Sequence, residues 1–225
     1  MALPACPRRV FAISCTLLLL SATWLAASGA PGPQTPEQVA DHLDRIVQPR
    51  FQQNAGRFGI DRVLVGGHDD VYGLDVTTAR ERANLRLAKQ ARRPFVVAFL
   101  HCVHKPGQPV GAKAIEPLDK DFKPYVTVLA AATKTQAGTE KLYDWGAAHL
   151  ERVTVPLVPQ LRRGENLEAQ EGNWQIVMRP VRALRASCIG CHAGAKRGDT
   201  LGVMVYAVDR NVKQAPIKAL RAGPP

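Results

Sequence analysis

Apolar positions change period several times along this chain, and the changes mark out its elements. Val39, Leu43, Ile46 and Val47 recur on one helical face. Thr35 stands where a cap belongs, Pro36 suits the first turn, and Gln38 completes a capping box. A helix is therefore expected from Pro36, ended by Pro49. A second helix is expected from Thr78, with Glu81 completing another capping box, to about Arg92. Its many Arg and Lys residues read as a solvated face. Residues 54 to 75 are Gly-rich and poorly periodic, which predicts loop with short strands. FVVAFLHCVH, residues 95 to 104, reads as a strand. Alternation puts Phe95, Val97, Phe99, His101 and Val103 on one side and Val96, Ala98, Leu100, Cys102 and His104 on the other. Lys105, Pro106 and Gly107 make a turn after it.

Residues 122 to 132 fit a strand and a helix equally well. A helix is expected from about Thr139 to Val153, with Leu142, Trp145, Gly146, His149, Leu150 and Val153 facing inward. Pro156 and Pro159 are expected to break the chain after it. Residues 173 to 183 and 201 to 209 read as strands, the first with Trp174, Ile176 and Met178 on one face. Helices come mostly first and strands mostly last, so the expected class is α+β with an antiparallel sheet.

The N-terminal end changes the domain picture. Arg8 and Arg9 precede an uncharged run from Val10 to Ala27, followed by small residues and a Pro-rich stretch. That order reads as a secretory signal over residues 1–30. An uncleaved membrane anchor is the alternative, since eighteen apolar residues just reach spanning length. One domain is expected over residues 35–215, periplasmic or otherwise exported. The formal net charge is +11, and losing Arg8 and Arg9 with the signal leaves +9. This favours acidic partners or an anionic membrane face. No basic block is interleaved with aromatics, so nucleic acid is not expected as a partner.

Of five cysteines, Cys6 and Cys15 fall in the signal. Cys102, Cys188 and Cys191 are left, an odd number that does not suit a plain disulfide framework. Cys188 and Cys191 stand with His192 in the pattern C-x-x-C-H. Two thiols at this spacing reach two vinyl groups along one porphyrin edge, and the following imidazole can bind the iron. Five Cys and six His give about 0.003 chance occurrences of this triple in such a chain. A thiol redox pair would need a Cys pair at a helix start within a βαβ setting. A zinc site would need a fourth ligand or a second pair. The expectation is one covalent haem c, held by Cys188 and Cys191, with His192 as axial ligand.

MRPVRALRASCIGCHAGAKRGDTLGVMVYAVDR, the stretch from Met178 to Arg210, resembles the end of the Tll0287-like (DUF3365) family. The resemblance rests on Arg179-Pro180, Cys188, Cys191, His192, Gly198-Asp199 and Gly202. It implies a PAS-like antiparallel sheet with flanking helices, a haem c, and either an exported haem protein or a sensor input module.

The ligand opposite His192 is the open question. Cys102 or His104, on one strand face, are the candidates. His149, Met178, Met204, His68 and His42 each have an ordinary structural explanation. A thiolate ligand would lower the reduction potential and a Met would raise it. The expected function is that of a monohaem c-type electron-transfer protein serving a redox partner protein, an acidic one given the charge. The alternative is a haem-based redox or gas sensor acting through a partner. No enzymatic activity is expected, because no distal acid-base group can be placed. An uncleaved N-terminal segment would add membrane association.

Overall fold

The computed structural model describes residues 34–53, 60, 63, 73–103, 108–110, 113–115, 119, 121–132 and 136–211. The expected signal, His68, His104, the turn at 105–107 and most of 54–75 lie outside the described residues. Contacts group Gln34–Pro225 into one compact unit.

Helix α1 (Pro36–Phe51) starts as expected: the Gln38 N–H donates to Thr35 Oγ1, and Gln38 Oε1 accepts from the Thr35 N–H. It does not stop at Pro49 but continues to Phe51. Proline removes one helical hydrogen bond, but tertiary contacts hold the last turn. Phe51 stacks on Phe99, ring centroids 5.5 Å apart, and the buried Arg50 guanidinium binds Glu81 (2.8 Å) and Asp75 (3.3 Å). Helix α2 (Ala79–Gln90) has the expected Thr78–Glu81 capping box. Just past its end Arg92 has φ +55°, a left-handed conformation that suits glycine and strains arginine by about 1 kcal/mol.

Glu81 carries two duties at once: it binds Arg50, and it caps α2 by accepting from the Thr78 N–H, with the Thr77 N–H beside it. Desolvation pushes its carboxyl pKa up, but the bonds from Arg50, Thr78 and Thr77 outweigh it and bring the value down to about 2. A carboxylate lowered by folding contributes stability above its unfolded pKa, and that stability is lost as pH falls through its folded pKa. Denaturant unfolding of the wild type is therefore expected to weaken between about pH 4.5 and pH 2. Glu81→Gln should be less stable at pH 6 and flatter across that window. An equally steep loss in the variant would contradict this role.

Strands β1 (Phe95–His101), β4 (Tyr125–Ala132), β5 (Leu167–Glu171), β6 (Trp174–Arg182) and β7 (Thr200–Asp209) form a sheet in the order β4-β1-β7-β6-β5. All its pairings are antiparallel. A separate hairpin joins β2 (Gln108–Val110) and β3 (Lys113–Ile115). The protein is thus α+β, with a PAS-like antiparallel sheet flanked by helices and an N-terminal helix, as expected.

The first strand is shorter than expected, because Cys102 and Val103 already leave the ladder after His101. The ambiguous stretch 122–132 is β4. Its pairing slips between Val97↔Ala130 and Ala98↔Val128, leaving Leu129 as an extra residue. The bulge puts Leu129 and Ala130 on the same side, so period-2 alternation fails there. Pro156 and Pro159 do not break the chain. They sit in the first turns of a 3₁₀ segment (Val155–Leu157) and of α4 (Val158–Arg162), where a missing N–H costs nothing.

Helices α1 and α2 cover one face of the sheet over Phe95, Val97, Phe99, Met204, Tyr206 and Val208. Helix α3 (Gln136–Thr154) and α4 cover the other over Val96, Leu100, Ile176, Met178, Val203 and Val205. Gly146 brings α3 close to the sheet, since a Cβ there would lie 3.1 Å from Val96 and Val128. At the far end of the sheet Trp145 stacks on Trp174, centroids 4.5 Å apart. Beneath α1, the Tyr206 hydroxyl donates to Asp44 Oδ1 (2.8 Å), and Arg179 pairs with both Asp44 (2.9 Å) and Asp41.

Candidate functional site

The antiparallel register gathers the site at one end of the sheet. There β1 and β6 end and β7 begins, since Leu100 pairs with Val203 and Arg182 with Thr200. The C-x-x-C-H segment leaves β6 and returns to β7 at this end. Two reciprocal bonds close its neck: the Ala183 N–H donates to Asp199 O (2.9 Å), and the Gly198 N–H donates to Ala183 O (2.8 Å). Gly198 has φ +94°, which favours glycine. The Asp199 carboxylate accepts from the Lys196 N–H at 2.7 Å and so fixes the turn before β7.

Within this neck the motif forms a short helix. Helix α5 (Ala186–Cys191) places Cys188 and Cys191 three residues apart, on one side of the helix. Both thiols are free; Cys188 is buried and Cys191 half-buried. The His192 N–H donates to Cys188 O at 2.8 Å, and the backbone leaves helical conformation at His192 (φ −105°, ψ 87°). The chain turns again through Gly194, φ +88°. Helix α5 joins antiparallel neighbours, so a βαβ setting for a redox dithiol is not present. The β3 strand of the small hairpin packs against α5.

Cys102 sits at this same end, just beyond β1. Its side chain is fully buried in the core under α3 and α4, whereas Cys188 belongs to neither core cluster. Burial pushes the Cys102 thiol pKa up to about 12 despite the nearby Arg162, whose guanidinium Nε donates to Cys102 O at 2.9 Å. Met178 and Met204 are fully buried on opposite faces of the sheet, as core residues. His149 Nδ1 contacts Trp145 O at 2.9 Å and its ring stacks on that indole. His42 Nδ1 contacts Asn84 Oδ1 at 3.2 Å. His42 and His149 are thus held by local structural partners.

Alternation puts His101 on the strand side opposite Cys102, and it is not among the ligand candidates. The structure shows it at the same sheet end, stacked on Tyr125 at 4.2 Å, edge-on to Phe99, and 3.1 Å from Thr127 Oγ1. Burial lowers its pKa to about 4, which keeps the imidazole neutral at physiological pH. The adjacency of three aromatics arises from the β1–β4 register, which sequence spacing does not reveal.

Around α5 the surface is mixed. Leu184 (51% exposed) and Ile189 (37%) are two of the three exposed large hydrophobics among the described residues. Arg185, Lys196 and Arg197 are exposed beside them. Two free thiols on one helix side, an imidazole at its end, uncovered apolar side chains and exposed cations suit a flat apolar macrocycle with two carboxylates. Among the described residues no group of three or more His, Cys, Asp or Glu is placed to hold a bare metal ion. No helix among them is long and apolar enough to cross a membrane. The chain matches no family model, no curated protein and no solved structure.

Proposed function

We propose that this chain is an exported monohaem c-type protein of PAS-like fold that transfers electrons. Cys188 and Cys191 would hold the haem through their sulfurs, and His192 would bind the iron. The observation that carries this reading is the C-x-x-C-H triple itself, with both thiols free on one side of a short helix closed at its neck. Bound haem would supply a one-electron couple whose potential is set by axial ligands and burial. The protein's own residues would fix the attachment point, offer Leu184 and Ile189 as apolar contact, and leave Arg185, Lys196 and Arg197 for carboxylates. Those exposed cations also favour an acidic redox partner docking at this end. The likeness to the Tll0287-like family supports the reading through Arg179-Pro180, Gly198-Asp199 and Gly202 beside the motif.

Cys102 and His104 stay the candidates for the opposite iron face. The burial of the Cys102 side chain in the core under α3 and α4, apart from Cys188, favours the alternative, a redox or gas sensor with a weakly held sixth position. Visible spectra of the haem-loaded protein decide between the two. A carrier should bind little carbon monoxide when ferrous, and Cys102→Ala should shift its ferric spectrum if the thiol is the ligand. Ready carbon monoxide binding with an unchanged Cys102→Ala spectrum would overturn the carrier reading and select the sensor.

A further inference from the structure

The outward face of α2 is a row of cations that haem attachment and electron transfer do not use. Arg82, Arg86 and Lys89 are exposed at i, i+4 and i+7, on one side of the helix, and Arg80 and Leu87 (37% exposed) are exposed on its other flank. The helix has one carboxylate, Glu81, and it is turned onto Arg50 and the cap. No negative charge of α2 itself therefore offsets the row. Arg82, Leu85, Arg86 and Lys89 line a shallow groove of about 390 Å³. Immediately beyond, exposed Arg92 keeps a guanidinium at a left-handed position where glycine would be unstrained.

We propose that the α2 face docks on an anionic phospholipid surface. Twelve helical residues span about 18 Å, and the cations are spread along that length on flexible stems, with the exposed Leu87 on one flank. Phosphate headgroups at fluid spacing satisfy such a row, and an exposed leucine can enter the headgroup boundary. A protein partner with fixed carboxylates would be expected to meet a more shaped surface than this open groove. The proposal stands independently of the haem: it requires only α2 and its charge.

Vesicle sedimentation of the purified full chain tests it, with phosphatidylcholine vesicles against vesicles containing phosphatidylglycerol. Any apolar N-terminal segment contributes to both, so the difference between them reads the charge. The wild type should bind the anionic vesicles more tightly and lose that excess as salt rises. Arg82→Gln/Arg86→Gln/Lys89→Gln should reduce the excess about tenfold or more. Lys123→Gln/Lys141→Gln/Arg163→Gln removes three exposed cations outside α2 and should leave it nearly intact. Circular dichroism checks that both variants fold. No excess on anionic vesicles, or an equal loss in the two triple variants, would overturn the proposal. So would vesicle indifference combined with α2-dependent binding to an acidic protein.

Discussion

Replacing Cys188 and Cys191 together by serine is expected to abolish all haem that survives acid-acetone extraction. Covalent attachment needs sulfur, and a serine hydroxyl cannot form a thioether. The variant should still fold. Cys191 is half-buried and Cys188, though buried, lies outside both core clusters, so exchanging sulfur for oxygen at the two should cost about 1–2 kcal/mol together. Its far-UV circular dichroism should match that of the wild type, and any haem it binds should be lost on extraction. Each single variant keeps one sulfur and should retain haem in lower yield. A double variant that holds extraction-resistant haem would place the attachment elsewhere.

The second large effect concerns stability. A Cβ added at Gly202 would overlap the ring of Phe99 and come within 2.6 Å of its Cε1. Phe99 has little room to move, since it stacks on Phe51 and meets His101 edge-on. Gly202→Ala should therefore destabilise by about 3 kcal/mol, the upper part of the overpacking range. For a domain of this size that lowers Tm by roughly 6–12 °C. In a Phe99→Leu background the same change should cost far less, because the colliding ring atoms are gone. Thermal melts of the four proteins form a double-mutant cycle. Additive losses would show that the ring is not what restricts this position.

Gly202 also shows what a motif conceals. The glycine was legible as part of G-D-x-x-G, but its reason, a ring from β1 lying over β7, comes from the pairing of strands distant in sequence. Arg179 is similar: it was legible beside Pro180, yet its role is to bind Asp41 and Asp44 of α1. Helix starts were readable because capping boxes are local, as at Thr35–Gln38 and Thr78–Glu81. The strands at 95–101, 174–182 and 200–209 were readable because apolar runs are local too. The features that escaped are set by distant contacts. Phe51 and Arg50 carry α1 past Pro49, and the Leu129 bulge disguises β4. Strand β5, LEAQE, escaped for another reason: it is a polar edge strand whose pairing with β6 gives it its shape. At the site, the three residues of the motif were legible by spacing alone. Their short helix, the Ala183–Gly198–Asp199 neck and the nearness of His101 were not, because each depends on chain returning from elsewhere.

The most direct test of the haem assignment is the mass of one peptide. Trypsin cutting after Arg185 and Lys196 releases residues 186–196, which hold both thiols and His192. From protein expressed with a haem c maturation system, this peptide should carry the mass of one haem and absorb in the visible range. The same peptide recovered without haem, as two free thiols or as an internal disulfide, would contradict the account.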